Sequence, residues 1–164
     1  MVRLLIGISG SGKTYYIQER ILCGHMGYLA TNAKNIYVVE RKEYNEYSHL
    51  FHPDYVHVYK SDDDEVETLQ DVKNADIIID CEDYSEEFMD KVIGMILKAV
   101  ANNNDVTITL IPSVDTINCE NLILQHADSI LVGECGGAGE SLIENILHVK
   151  LKSTTKKYDF RKII

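Results

Sequence analysis

Eight residues near the amino terminus, Gly7-Ile8-Ser9-Gly10-Ser11-Gly12-Lys13-Thr14, carry the spacing Gly-x-x-x-x-Gly-Lys-[Ser/Thr]. Glycines at these places let the backbone curl until consecutive N–H groups converge, making a nest for the phosphates of a nucleoside triphosphate. Bulkier residues would fill that nest. A helix beginning near Lys13 adds its N-terminal dipole, worth about 0.3–1 kcal/mol for each favourable charge contact. Lys13 has the length and charge to reach the β- and γ-phosphates, and the Thr14 hydroxyl suits a magnesium ion. On this reading Gly7, Ser9, Gly10, Ser11, Gly12, Lys13, Thr14 and Tyr15 form the nucleotide-binding set, with ATP and Mg2+ as the expected cofactors. The alternative is a Gly/Ser-rich turn that matches by accident. The apolar run Val2–Ile6 before it and the helix-compatible Tyr15–Leu22 after it favour the phosphate loop.

A second stretch carries the complementary chemistry. Ala75-Asp76-Ile77-Ile78-Ile79-Asp80-Cys81-Glu82-Asp83 places three β-branched apolar residues before an acid, the pattern of a buried strand that delivers a carboxylate to the edge of a sheet. Downstream of a phosphate loop that carboxylate, Asp80, reads as the Walker B aspartate of the magnesium shell. Glu82 and Asp83 stand just beyond it, and Glu82 is the first choice for activating water. Its structural alternative is an acid of the N-cap region, since Asp83 and Glu86 have capping-box spacing at the head of the next helix. Ser113 follows the strand-like Val106–Ile111 and Pro112, where a polar residue can sense the γ-phosphate or simply end the strand. Lys13, Glu82 and Ser113 are thus the candidate catalytic residues, and Thr14 and Asp80 the candidate metal ligands.

The elements that must position these residues alternate between strand and helix, which implies an α/β fold. Tyr15–Cys23 reads as a helix ending at Gly24, and Ile36–Val39 as a short buried strand capped by the polar Glu40-Arg41-Lys42-Glu43-Tyr44. Polar residues gathered at the C-terminal end of a strand are where open α/β sheets place ligands. Val56–Tyr59 suggests another strand. Ser61 reads as an N-cap, with Asp62–Glu65 in the first turn of a helix that turns Val66, Leu69 and Val72 to one side. The acids there lack the alternation and central glycine of a calcium loop. Tyr84–Ala101 is a packing helix with Phe88, Val92, Ile96 and Val100 in line and Met89, Ile93 and Leu97 widening the stripe. A short helix around Glu120–His126 leads to Ser129–Val132, read as the outer strand. Gly133–Gly139 is a glycine-rich link, Ser141 and Glu144 again have capping-box spacing, and Val149–Leu151 could pair with Tyr158–Phe160 as a terminal β-hairpin.

At 164 residues the chain suits a single domain over 1–164. No run approaches the roughly 18–20 apolar residues of a membrane span, and the passage from Val2–Ile6 straight into the glycine loop reads as neither signal peptide nor anchor. Cys23, Cys81, Cys119 and Cys135 form no C-x-x-C pair, which argues against a zinc knuckle or disulfide framework and fits a reducing cytoplasm. His49, His52 and His57 match no familiar metal spacing and read as a hydrated surface loop. A net charge of −10 opposes indiscriminate adhesion to nucleic acid. Against that balance, Lys150, Lys152, Lys156, Lys157, Arg161 and Lys162 face only Asp159 near the C-terminus. That segment is either a solvated hairpin or a patch facing nucleic acid or an acidic neighbour.

The order of parts resembles the FtsK–HerA superfamily of DNA-pumping ATPases: Gly7–Thr14, then Val38–Tyr44, then Ile77–Asp80, then a strand ending at Ser113, then Gln125–Val132. Within it the short genome-packaging ATPases of viruses with internal membranes are nearest. The filamentous-phage assembly ATPases related to zonula occludens toxin share the core but usually add a membrane segment. The resemblance implies a P-loop NTPase three-layer sandwich, mostly parallel, with an additional strand between the phosphate-loop and magnesium-aspartate strands. It further implies a homo-oligomeric ring, often hexameric, that hydrolyses ATP at subunit boundaries and moves double-stranded DNA, with a capsid or assembly partner and a place in host cytoplasm or virion. The sensor of such proteins is commonly an amide, whereas Pro112-Ser113 occupies its place here. An arginine finger is also expected, with Arg41 or Arg161 as candidates.

Two other classes fit the phosphate loop. A small-molecule or nucleotide kinase of this fold needs a lid with several arginines to clamp the acceptor and exclude water, and Arg3, Arg20, Arg41 and Arg161 are scattered. A nucleotide-gated binding module with little turnover is the other. No Asn-Lys-x-Asp guanine-reading motif is present, which favours ATP over GTP.

Overall fold

The computed structural model describes residues 1–22, 35–81, 85–102, 105–112, 127–135, 141, 144–145, 148 and 160–163. Its strands are β1 (Val2–Ile6), β2 (Asn35–Glu40), β3 (Val56–Lys60), β4 (Ala75–Asp80), β5 (Val106–Leu110), β6 (Ser129–Val132) and β7 (Arg161–Lys162). The helices are α1 (Lys13–Leu22) and α2 (Glu86–Asn102), with 3-10 turns at Ser48–Leu50 and Asp64–Asp71. The seven strands form one sheet in the order β3-β2-β4-β5-β1-β6-β7. Every pairing is parallel except the last, where β7 runs antiparallel to β6 with Leu131 opposite Lys162.

Parallel strands covered on both faces read as continuous apolar runs, and β4 and β5 do so. Ala75–Ile79 are all buried, as are Val106–Leu110. Their alternating side chains feed two cores. Ile77, Ile79, Ile108 and Leu110 meet Val66 and Leu69 of the second 3-10 segment and Phe88, Val92, Met95 and Ile96 of α2. On the opposite face Leu5, Val38, Ile78 and Leu131 meet Tyr16 and Ile17 of α1, Tyr47 and Leu50. Helix, sheet and helix therefore make three layers. The additional strand is β5, which lies between β1 and β4. Asn74 and Asp105 enter β4 and β5 from the left-handed region at φ 49° and 54°, a conformation their short polar side chains tolerate.

Several local expectations are corrected. Asp64–Asp71 is a 3-10 helix preceded by Asp63, not an α-helix capped by Ser61, and the Asp63 carboxylate accepts from Lys60 N at 2.7 Å. The spacing Val66, Leu69, Val72 steps by three, which is the 3-10 repeat itself. At the head of α2 the cap is Ser85, whose Oγ accepts from Phe88 N at 3.1 Å, while Asp83 lies outside the described residues. Leu97 is 47% exposed, and Met95 takes the buried place instead. Ser129–Val132 is not the outer strand, because β7 covers it. The hairpin residues 149–159 and the helix around Glu120–His126 lie outside the described residues. His57 belongs to β3 and stacks on Tyr37 at 5.1 Å, whereas His49 and His52 are exposed as expected. Among the described residues no helix is long and apolar enough to cross a membrane, no group of three metal-ligating side chains forms, and Cys81 and Cys135 are buried thiols outside any disulfide.

Candidate nucleotide site

The glycine loop springs from the end of β1 and is held from below by the segment after β6. Gly133 N donates to Ile6 O at 2.9 Å and Ile8 N donates to Glu134 O at 2.8 Å. Ser11 N then closes a turn on Ile8 O at 3.1 Å. Gly10 and Gly12 adopt φ of 79° and 93°, the left-handed region where a side chain is strained. At Gly7 the need is space: a Cβ there would meet Ser11 Oγ at 2.4 Å and Glu134 O at 3.3 Å. α1 begins directly at Lys13, so the positive end of its dipole opens at the loop. The buried Lys13 ammonium donates to Gly7 O at 2.7 Å and Ile8 O at 2.9 Å.

From across the sheet β4 delivers Asp80. Its Oδ2 accepts from Thr14 Oγ1 at 3.0 Å and from Tyr47 Oη at 2.5 Å. Sequence reasoning did not find Tyr47, although its side chain is entirely buried. It comes from the β2–β3 connection, whose foot is Glu40, directly opposite Asp80 in the sheet register. Glu40 stands at the ligand edge, where it lines the pocket, and it also holds the connection: Oε2 accepts from Glu46 N at 2.8 Å and Tyr47 N at 3.2 Å, and Oε1 accepts from Lys60 Nζ at 2.6 Å. Lys60 Nζ also donates to Tyr44 O, and Gln18 Nε2 of α1 donates to Glu46 O at 2.7 Å. A pocket of about 150 Å³ remains, lined by Ser9, Glu40, Arg41, Tyr44, Glu46, Tyr47 and Asp80.

Burial pushes the Asp80 carboxyl up from the ordinary carboxylate range, with the Glu46 charge adding to the rise. The bonds from Tyr47 and Thr14 and the charge of Lys13 pull it back. Tyr47 is raised well above an ordinary phenol by burial and then by the Asp80 charge, so it stays a proton donor. Burial and the Asp80 charge push the Cys81 thiol up to about 12, which leaves it an inert core residue.

Three features test the fit of a magnesium-bound triphosphate. Ser11 Oγ is buried without a hydrogen-bond partner in the cradle. The space over Gly7 is one that a Cβ would fill. Thr14 and Asp80 supply the all-oxygen donors that magnesium takes. The residues fit. Of the expected site, Gly7, Ser9, Gly10, Ser11, Gly12, Lys13, Thr14 and Asp80 come together, and Tyr15 lies beside them on α1, half exposed. Glu82 and Ser113 lie outside the described residues. Arg41 lines the pocket with its guanidinium 4.8 Å from the Tyr44 ring centroid, whereas Arg161 is exposed on the edge strand β7.

No protein-family model matches the chain, and no curated protein matches it by sequence. Among solved structures it is similar to the genome packaging NTPase B204 from Sulfolobus turreted icosahedral virus 2 in complex with sulfate, at TM-score 0.66 and 18% identity, covering 98% of this chain and 89% of that one. The same protein in complex with AMPPCP aligns at TM-score 0.60 and 19% identity over 97% and 89%. EssC (ATPases 2 and 3) from Geobacillus thermodenitrificans aligns at TM-score 0.65 and 13% identity, covering 96% of this chain and 38% of that one. With β5 set between the strands that carry the glycine loop and Asp80, and with these likenesses running over nearly the whole chain, the protein has the P-loop NTPase fold of the additional-strand type.

Proposed function

We propose that the chain is a Mg2+-dependent ATP hydrolase that works as a ring subunit moving double-stranded DNA, as in genome packaging. The observation that carries the hydrolase reading is the convergence of Lys13, at the mouth of the α1 amides, with the Thr14–Asp80 pair. Support for the cargo comes from the similarity to a structure described as a genome packaging NTPase. In this reading the loop amides and Lys13 hold the triphosphate, and Thr14 and Asp80 hold magnesium, which when bound neutralises charge on the phosphate oxygens. Glu82 aligns the attacking water, Ser113 senses the γ-phosphate, and Arg41 or Arg161 serves a neighbouring subunit. The ring, the DNA and a capsid or assembly partner belong to the proposal.

ATP turnover by the full chain, measured with and without duplex DNA alongside light scattering, tests it. Lys13→Ala is expected to lower turnover at least a hundredfold while leaving the circular dichroism spectrum unchanged. Unchanged turnover in the folded variant refutes the active site. DNA-independent phosphoryl transfer to a small acceptor by a monomer refutes the motor.

A further inference from the structure

We propose that Tyr47 is a positioning residue whose hydroxyl fixes the Asp80 carboxylate for magnesium, making the β2–β3 connection a working part of the metal site. The inference rests on the reading of Thr14 and Asp80 as the magnesium side of the pocket. Tyr47 is completely buried, and a phenylalanine ring would fill the same space. What the hydroxyl adds is polar contact at the site: it donates to Asp80 Oδ2 at 2.5 Å and also interacts with the Thr14 side chain. A carboxylate turns about a broad, roughly two-fold torsion, and a donor on one oxygen fixes which oxygen faces the pocket. Thr14 gives a second bond to that same oxygen at 3.0 Å, but its hydroxyl is also the group offered to the metal. When Thr14 turns to that task, Tyr47 is the donor that remains.

The hydroxyl has a rigid base. Glu40 takes the amides of Glu46 and Tyr47, Lys60 ties Glu40 to Tyr44 O, and Gln18 ties Glu46 O to α1. Every anchor is a backbone group of the connection or a side chain on a regular element, so little reorganisation is needed when charge arrives at Asp80. The connection also carries Arg41 and Tyr44, which line the pocket. A change at the metal site is thereby handed to the surface through one buried phenol.

Tyr47→Phe in the full chain tests this by fluorescent ATP-analogue binding, with and without Mg2+, and by turnover. Removing a hydrogen bond to a charged group is expected to weaken the Mg2+-dependent part of nucleotide affinity and raise the half-saturating Mg2+ about tenfold. Nucleotide binding in EDTA stays unchanged, and kcat recovers at saturating Mg2+. An unchanged Mg2+ dependence in a variant that melts like the wild type overturns the inference while leaving the ATPase reading intact. Failure of the wild-type chain to bind nucleotide overturns the ATPase reading itself. A measurement needing no variant is hydrogen exchange at the Glu46 and Tyr47 amides of nucleotide-bound protein. Slower exchange on adding Mg2+ supports the coupling, and unaltered exchange overturns it.

Discussion

Asp76 carries a hidden cost in this fold that a single replacement exposes. It sits inside β4 between Ile36 of β2 and Thr107 of β5, fully buried, with neither carboxylate oxygen hydrogen-bonded. Burial raises its pKa from 3.8 to about 7, against the downward pull of Arg3 and the amino-terminal ammonium. An acid raised on folding binds its proton more tightly in the native state. Its contribution is therefore fully present below the unfolded value and is lost as pH climbs through the folded value. Three pKa units correspond to about 4 kcal/mol between pH 4 and pH 8, which for a chain of this size moves the melting temperature by roughly 8–16 °C. Asp76→Asn keeps the shape and cannot ionise. Urea unfolding of both proteins at half-unit pH steps should show the wild type losing stability against Asp76→Asn across about pH 4–7, with all shared titrating groups cancelling in the difference. A difference that stays flat over that window would show that Asp76 ionises normally in the folded chain and would refute the reasoning.

Two further perturbations follow from local geometry. Ser85→Ala removes the cap on Phe88 N and should cost about 1 kcal/mol, read as a melting temperature lower by about 2–4 °C. Gly7→Ala forces a Cβ against Ser11 Oγ and should weaken nucleotide binding at least tenfold by calorimetry. Adding Ser11→Gly should restore much of that affinity, and a double variant as weak as the single one would locate the damage elsewhere.

Much of this fold is legible because its signals are local. The glycine spacing announces the cradle, and the runs ending at Val39, Ile79 and Ile111 announce strands, since a buried parallel strand needs no partner pattern to be recognised. Asp80 was found for the same reason, an acid at the end of such a run. Tyr47 was not, because Tyr44-Asn45-Glu46-Tyr47 has neither periodicity nor an apolar flank; its burial exists only once Glu40 gathers the connection over the sheet. Glu40 follows the rule that polar residues at strand ends gather near ligands, since it lines the pocket, but its second task, holding the Glu46 and Tyr47 amides and Lys60, has no local signal. At α2 the capping-box spacing of Asp83 and Glu86 announces a helix start, and the cap seen there is the hydroxyl of Ser85 on Phe88 N.

Phe160 lies against Gly133, close enough that a Cβ there would sit 2.6 Å from its ring, and its other side tilts against Tyr16 at 4.8 Å between centroids. Tyr16 is on α1, three residues past Lys13, and Phe160 directly precedes β7. The edge strand β7 is thereby joined through two aromatic rings to α1, the helix that carries Lys13 and Thr14, so a displacement of that edge would reach the glycine loop without passing along the sheet.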